Sequence, residues 1–207
     1  MSGRISILIS GRGSNMLALL AAIDDGRLAA VPALVIANVP QAAGLRLAAA
    51  RGVETLVIDH RNSSSRLEHD RKVLDALQGR QVDLICLAGY MRVLGPTLIR
   101  AFPCRILNIH PSLLPSFPGL HAQRQAIEFG AKVSGCTVHF VDEGVDTGPV
   151  ILQRAVEVRG SDTEEILGAR ILEEEHRIYP EAAHLVLEKR VRVEGRRACI
   201  LPAGEVA

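Results

Sequence analysis

The spacing of short β-branched runs constrains this chain more than any other feature. The run ISILI at 5–9 ends at the glycine-rich SGRGSN of 10–15, and helical spacing follows over 16–23. Strand patterns return at 31–37, 54–58, 82–87 and 105–109, separated by helical patterns at 42–51, 64–78 and 96–102. A parallel neighbour is reached only through a long crossover, so strands alternating with helices at these distances predict a parallel sheet. The strands are almost continuously apolar, which fits helices packed on both faces.

The pattern changes after residue 130. Runs at 133–141 and 150–158 are longer and more alternating, and the polar stretch 142–149 joins them. These read as antiparallel or edge strands added to the parallel half. SDTE at 161–164 has the spacing of a capping box, so a long helix is expected from there, kinked or broken before Pro180. Basic, β-branched segments on either side of Glu194 and Gly195 predict a terminal hairpin. The predicted fold is α/β, a Rossmann-like open twisted sheet, parallel in its N-terminal half with antiparallel strands in its C-terminal half. With 207 residues and no linker-like tract, one domain is expected over 1–207, its halves dividing near residue 100.

Composition narrows the partners. Twenty-four Lys and Arg against 23 Asp and Glu leave a formal net charge of +1, which argues against bulk nucleic-acid binding. Cys86, Cys104, Cys136 and Cys199 form no C-x-x-C pair, so neither a zinc site nor a redox motif is expected. The apolar start is too short to span a membrane and no cleavage pattern follows it. These features predict a cytoplasmic protein with small-molecule substrates, no nucleic acid and no membrane partner; monomer and homodimer both stay open.

Three segments carry polar groups where chemistry could use them. The loop 11–15 lies between a strand and a helix N-terminus, where glycines allow close approach and unpaired N–H groups attract an anion. Phosphate binding and an ordinary tight turn capped by Ser14 or Asn15 are both consistent with it. Met16 stands where a dinucleotide fingerprint has its last glycine, so a nicotinamide enzyme is not favoured. Asn108 and His110, two apart on a strand, project to one face at its C-terminal end, where open α/β sheets bind ligands. A polar pair inside an apolar strand is costly unless it is paired or used. Asp142 and Asp146 flank the third segment, and Asp146 gains a role only if it meets His110.

Together, NIHPSLLP at 108–115 and DTGP at 146–149 resemble the folate-dependent formyltransferases. ISGRGSN at 9–15 resembles the branch of that family whose amine substrate is a ribonucleotide. The segments 87–94, 117–121 and 175–180 are also similar, so the resemblance runs from about residue 5 to 202.

The resemblance implies transfer of a formyl group from the co-substrate 10-formyltetrahydrofolate to the amine of glycinamide ribonucleotide, without a metal. It implies that Asn108, His110 and Asp146 are catalytic, with Asp146 orienting His110 and favouring its charged form. It implies that Gly13, Ser14 and Asn15 hold the phosphate and that Glu175 binds ribose hydroxyls. It assigns the formylfolate to Met91, Arg92, Val93, Leu94 and Asn108, to the loop of Asp142, Glu143, Gly144, Val145 and Asp146, and to Arg66. It also implies a tight turn with a cis Leu114–Pro115 bond.

Overall fold

A computed structural model describes residues 2–206; Met1 and Ala207, which the single-domain expectation includes, lie outside the described residues. Strands β1 (Gly3–Ile9), β2 (Ala30–Ala37), β3 (Thr55–Val57), β4 (Leu84–Leu87) and β5 (Ile106–His110) form the parallel part of one sheet. Helices α1 (Ser14–Asp24), α2 (Gly44–Ala49), α3 (Arg66–Gln78) and α4 (Pro96–Ala101) are the crossovers. After α5 (Ala122–Phe129), strands β6 (Val133–Phe140) and β7 (Val150–Glu157) add antiparallel. Helix α6 (Glu164–Leu187) then crosses back, and the hairpin of β8 (Val191–Glu194) and β9 (Arg197–Ile200) closes the edge. The order across the sheet is β3-β2-β1-β4-β5-β6-β7-β9-β8.

The pleat sorts the core into two layers. Ile5, Ile7 and Ile9 of β1, with Cys86, Leu107 and Ile109, face buried residues of α1 and α6. Leu8, Ile85, Leu87 and Ile106 face Val73 and Leu77 of α3 and Leu98 of α4. Asn108 and His110 therefore share the α3/α4 face with Ile106. Pro32 sits inside an interior strand, where a missing N–H is normally excluded, and the β1–β2 register slips at that point.

Three local expectations change. Helix α6 runs through Pro180 without the break that was one of its two expected outcomes there. A proline inside a helix costs about 3 kcal/mol, but Ile178, Tyr179, Pro180, Ala182 and Ala183 are all buried, and that packing outweighs the lost backbone bond. The cap of α6 is Thr163, whose hydroxyl accepts from Ile166 N–H, so the SDTE pattern starts the helix two residues later than a Ser161 cap would. Helix α5 has no counterpart among the elements expected from the sequence, because its eight residues follow a loop of prolines and carry few apolar anchors. The terminal hairpin is present as expected, and it joins β7 through one parallel pair, Val150 with Arg197.

Candidate active site

The first cavity, of ≈ 260 Å³, is built from the β1–α1 turn. Gly13, Ser14 and Asn15 line it with Ser10, Gly11, Arg12 and Ala88. Gly13 caps α1 at φ +79°, a conformation that disfavours a side chain, and a Cβ there would also meet Gly44 Cα and Met16 Cε at 3.1 Å. Ser14 is the first helical residue, so neither Ser14 nor Asn15 is the cap, and the free N–H groups of the first turn point to the cavity. Asn15 Nδ2 donates to Glu175 Oε2 at 2.7 Å, while its buried Oδ1 has no partner. Glu175 lies beneath the loop and outside both cavity linings. Burial drives its carboxyl up to about 7, against the opposing bond from Asn15.

The second cavity, of ≈ 720 Å³, suits a molecule of drug size. Met91, Arg92, Val93 and Leu94 form one wall, and Asp142, Gly144, Val145 and Asp146 another; Asn108, His110 and His139 lie between. Arg66 and Glu143 do not line it: Glu143 pairs with Arg100 at the surface, at 2.8 Å. Gly89 and Met91 line both cavities, so the two are parts of one cleft. Ser10 ties them together, donating to Asn38 Oδ1 at 2.6 Å and accepting from Met91 N–H at 2.7 Å.

The polar centre depends on strand register. Asn108 of β5 lies directly opposite His139 of β6. Phe140 carbonyl accepts from His139 Nδ1–H at 2.8 Å, which leaves His139 Nε2 to accept from Asn108 Nδ2 at 3.2 Å. Asp146 Oδ1 is 3.7 Å from the same Nε2, and Asp146 Oδ2 is 3.4 Å from His110 Nδ1. Gly119 N–H donates to Asp146 at 2.8 Å. One carboxylate thus faces two imidazoles. Asp146 holds φ +55°, uncommon for a non-glycine residue; Phe117 and His121 do the same at +54° and +58°. The Leu114–Pro115 bond beside them is cis, as expected.

His110 Nε2–H donates to Phe117 carbonyl at 2.9 Å, which sets its neutral tautomer. Desolvation lowers the His110 pKa, and this exceeds the raising effects of Phe117 carbonyl and Asp146. In the free protein His110 is therefore held toward its neutral form, contrary to the charged form expected from Asp146 alone. A second proton, at Nδ1, would sit between ring and carboxylate. For Asp146, burial acts upward, but His139, Gly119 N–H and His110 outweigh it and the carboxyl lies below its ordinary value.

His139 and Ser10 are members of this site that residue patterns did not single out. His139 is separated from Asn108 by 31 residues, and only the antiparallel register joins them. Its one available signal was a histidine on the polar-alternating face of a predicted strand. Among the described residues, no group of three or more His, Cys, Asp or Glu side chains is gathered as a metal site requires, and no helix is long and apolar enough to cross a membrane.

Residues 3–183 match the family described as formyl transferase. The chain is 48% identical over 186 residues to the trifunctional purine biosynthetic protein adenosine-3 of Drosophila melanogaster, covering 89% of this chain but only 14% of that one. It is 40% identical to phosphoribosylglycinamide formyltransferase of Bacillus subtilis (strain 168), covering 86% of this chain and 91% of the relative. The crystal structure of glycinamide ribonucleotide transformylase 1 from Symbiobacterium toebii superposes with a TM-score of 0.96 at 54% identity, over 97% of this chain and 95% of the other.

Proposed function

The chain belongs to the formyl transferase family, and from that premise we propose that it moves the formyl group of 10-formyltetrahydrofolate to the amine of glycinamide ribonucleotide, a step of purine biosynthesis. One observation carries the reading: Asn108, His110, His139 and Asp146 meet in a cleft that continues, through Gly89 and Met91, to the N-terminus of α1. A phosphate at that terminus leaves the rest of a ribonucleotide to extend toward the polar centre. The unpartnered Asn15 Oδ1 and the Glu175 carboxyl beside it suit ribose hydroxyls. The larger cavity, with apolar Met91, Val93, Leu94 and Val145, suits a flat pterin, and Arg66 outside it suits an acidic tail.

The amine nitrogen attacks the formyl carbon, the N–C bond forms, and the carbonyl π pair moves to oxygen. Asn108 retains a free N–H for that oxygen, since only one is used by His139. The Nδ1 edge of His110, 3.4 Å from Asp146, is the edge left to present a proton to it. Negative charge arriving in the cleft favours the imidazolium that burial disfavours in the free protein. The tetrahedral centre then expels the folate nitrogen as the C–N bond breaks. The proton lost by the amine passes to that nitrogen, by way of Asp146 or a water held by it.

The test is the absorbance change of folate product with and without the ribonucleotide. Product formation only with the ribonucleotide supports the reading. Equal release without it would indicate hydrolysis of formylfolate in its place, and no release in either case would end the assignment.

A further inference from the structure

The wall made by Met91 to Leu94 has no regular secondary structure, yet it bounds both cavities. It is held from behind by two consecutive residues of α3 that line neither. His69, 1% exposed, meets Tyr90 Oη through Nε2 at 2.8 Å. Asp70, 2% exposed, accepts the Gly95 N–H at 2.6 Å. The approach at Gly95 is so close that a Cβ would come within 2.5 Å of Asp70 Oδ2. These bonds secure residues 90 and 95, one at each end of the wall. His69 Nδ1 and Arg92 Nε are buried without partners, so the cluster carries polar burial that packing alone does not require.

We propose that His69 and Asp70 are positioning residues for the formylfolate, setting the height of the 91–94 wall without touching the ligand. The proposal rests on reading the larger cavity as the formylfolate site. A buried polar pair is retained at a cost, and a hydrogen bond to each end of an irregular segment specifies its place where apolar contact would let it slide. Burial, then the charge of Arg92, pushes the His69 ring down to about 4, so at neutral pH a neutral imidazole meets a neutral phenol. Burial likewise raises the Asp70 carboxyl, with Gly95 N–H acting against it.

The experiment measures KM for 10-formyltetrahydrofolate, KM for the ribonucleotide and kcat in wild type, Tyr90→Phe, His69→Phe, the double variant, Asp70→Asn and Asp70→Ala. Tyr90→Phe keeps the ring and removes only the hydroxyl, so it tests the bond even where a larger change does not fold. The folate KM should rise about three- to tenfold in Tyr90→Phe and His69→Phe, the range of one buried hydrogen bond. The double variant should rise no further than either single one, since both remove the same bond. Asp70→Asn, which keeps an acceptor for Gly95 N–H, should stay near wild type while Asp70→Ala rises. The ribonucleotide KM and kcat should move less than about twofold. A wild type that turns over formylfolate while Tyr90→Phe and Asp70→Ala leave its KM unchanged overturns this proposal alone. A fall of all three constants together in those variants overturns it as well. A wild type that neither binds nor turns over formylfolate removes the reading of the cavity and this proposal with it.

Discussion

The parallel and antiparallel parts of the sheet supply the cleft by different means. In the parallel part, the smaller cavity, proposed above as the phosphate site, comes from backbone: a left-handed glycine and the start of α1, within residues 10–15. At the seam where β6 adds antiparallel to β5, the polar centre comes from side chains far apart in sequence, with Asn108, His139 and Asp146 joined by the register of β5 on β6 and the loop after it. Backbone sites tolerate side-chain changes but not changes of φ. Side-chain sites tolerate neither loss of a group nor a slip of register, because one residue of slip would turn His139 to the opposite face.

The contrast breaks most sharply at the oxyanion donors. Asn108→Ala and His110→Ala should each lower kcat by roughly a hundredfold or more, as loss of one such donor does, with phosphate affinity of the β1–α1 loop little changed. Near-normal turnover in both variants would show that the polar centre at the β5–β6 seam does not carry the reaction. Next comes Asp146→Asn, which keeps shape and removes charge. His110 is already held below its ordinary pKa by burial, so losing the carboxylate lowers it further. Each unit costs about tenfold in the protonated fraction at neutral pH, and kcat should fall accordingly while both KM values move less. An NMR titration of His110 reads this directly; an unchanged titration with unchanged kcat rules out the role.

On the backbone side, Glu175 offers a stability test. Its folded carboxyl is raised to about 7 from an ordinary 4.5, so the native state holds a proton that the unfolded chain has released. The contribution is present below the unfolded value and is lost as pH rises through the folded one. Between pH 6 and 8 wild type should lose on the order of 1 kcal/mol relative to Glu175→Gln, which cannot ionise. Urea midpoints of the two proteins at both pH values check it, and parallel profiles would refute it. The smallest effect belongs to Arg100→Ala. Its pair with Glu143 is exposed at both ends and worth no more than about 1 kcal/mol; kcat and the folate KM should stay within about twofold, and a larger change would make the far end of the loop part of the site.

The same contrast explains which features were legible before the structure. Strand, glycine turn and helix are adjacent in the chain, so residues 5–23 announce both the parallel fold and the loop that lines the smaller cavity. Asn108 and His110 were legible because two polar residues two apart in an apolar strand demand a reason. His139 was not, since its meaning comes from a partner on another strand. Tertiary packing also hid the course of α6, where burial of Tyr179 and its neighbours carries the helix past Pro180. The neutral bias of His110 was beyond sequence too: Asp146 is visible in the chain, but the burial that opposes it is a property of the closed site.

Glu175 and Tyr179 lie one turn apart on α6. Glu175 reaches Asn15 in the first helix, and the Tyr179 hydroxyl donates to the carbonyls of Leu87, at the end of β4, and Leu107, within β5, at 2.9 and 3.2 Å. Asn108, His110, His139 and Asp146 all precede α6 in the chain. During synthesis from the N-terminus, a ribosome therefore releases the whole chemical set before the element that locks its frame. A chain paused before residue 164 holds those four side chains and none of the buttress that joins Asn15 to Glu175 across 160 residues. The bonds from Glu175 and Tyr179 therefore cannot form until α6 has emerged, so the brace on the first loop is among the last contacts the chain can make.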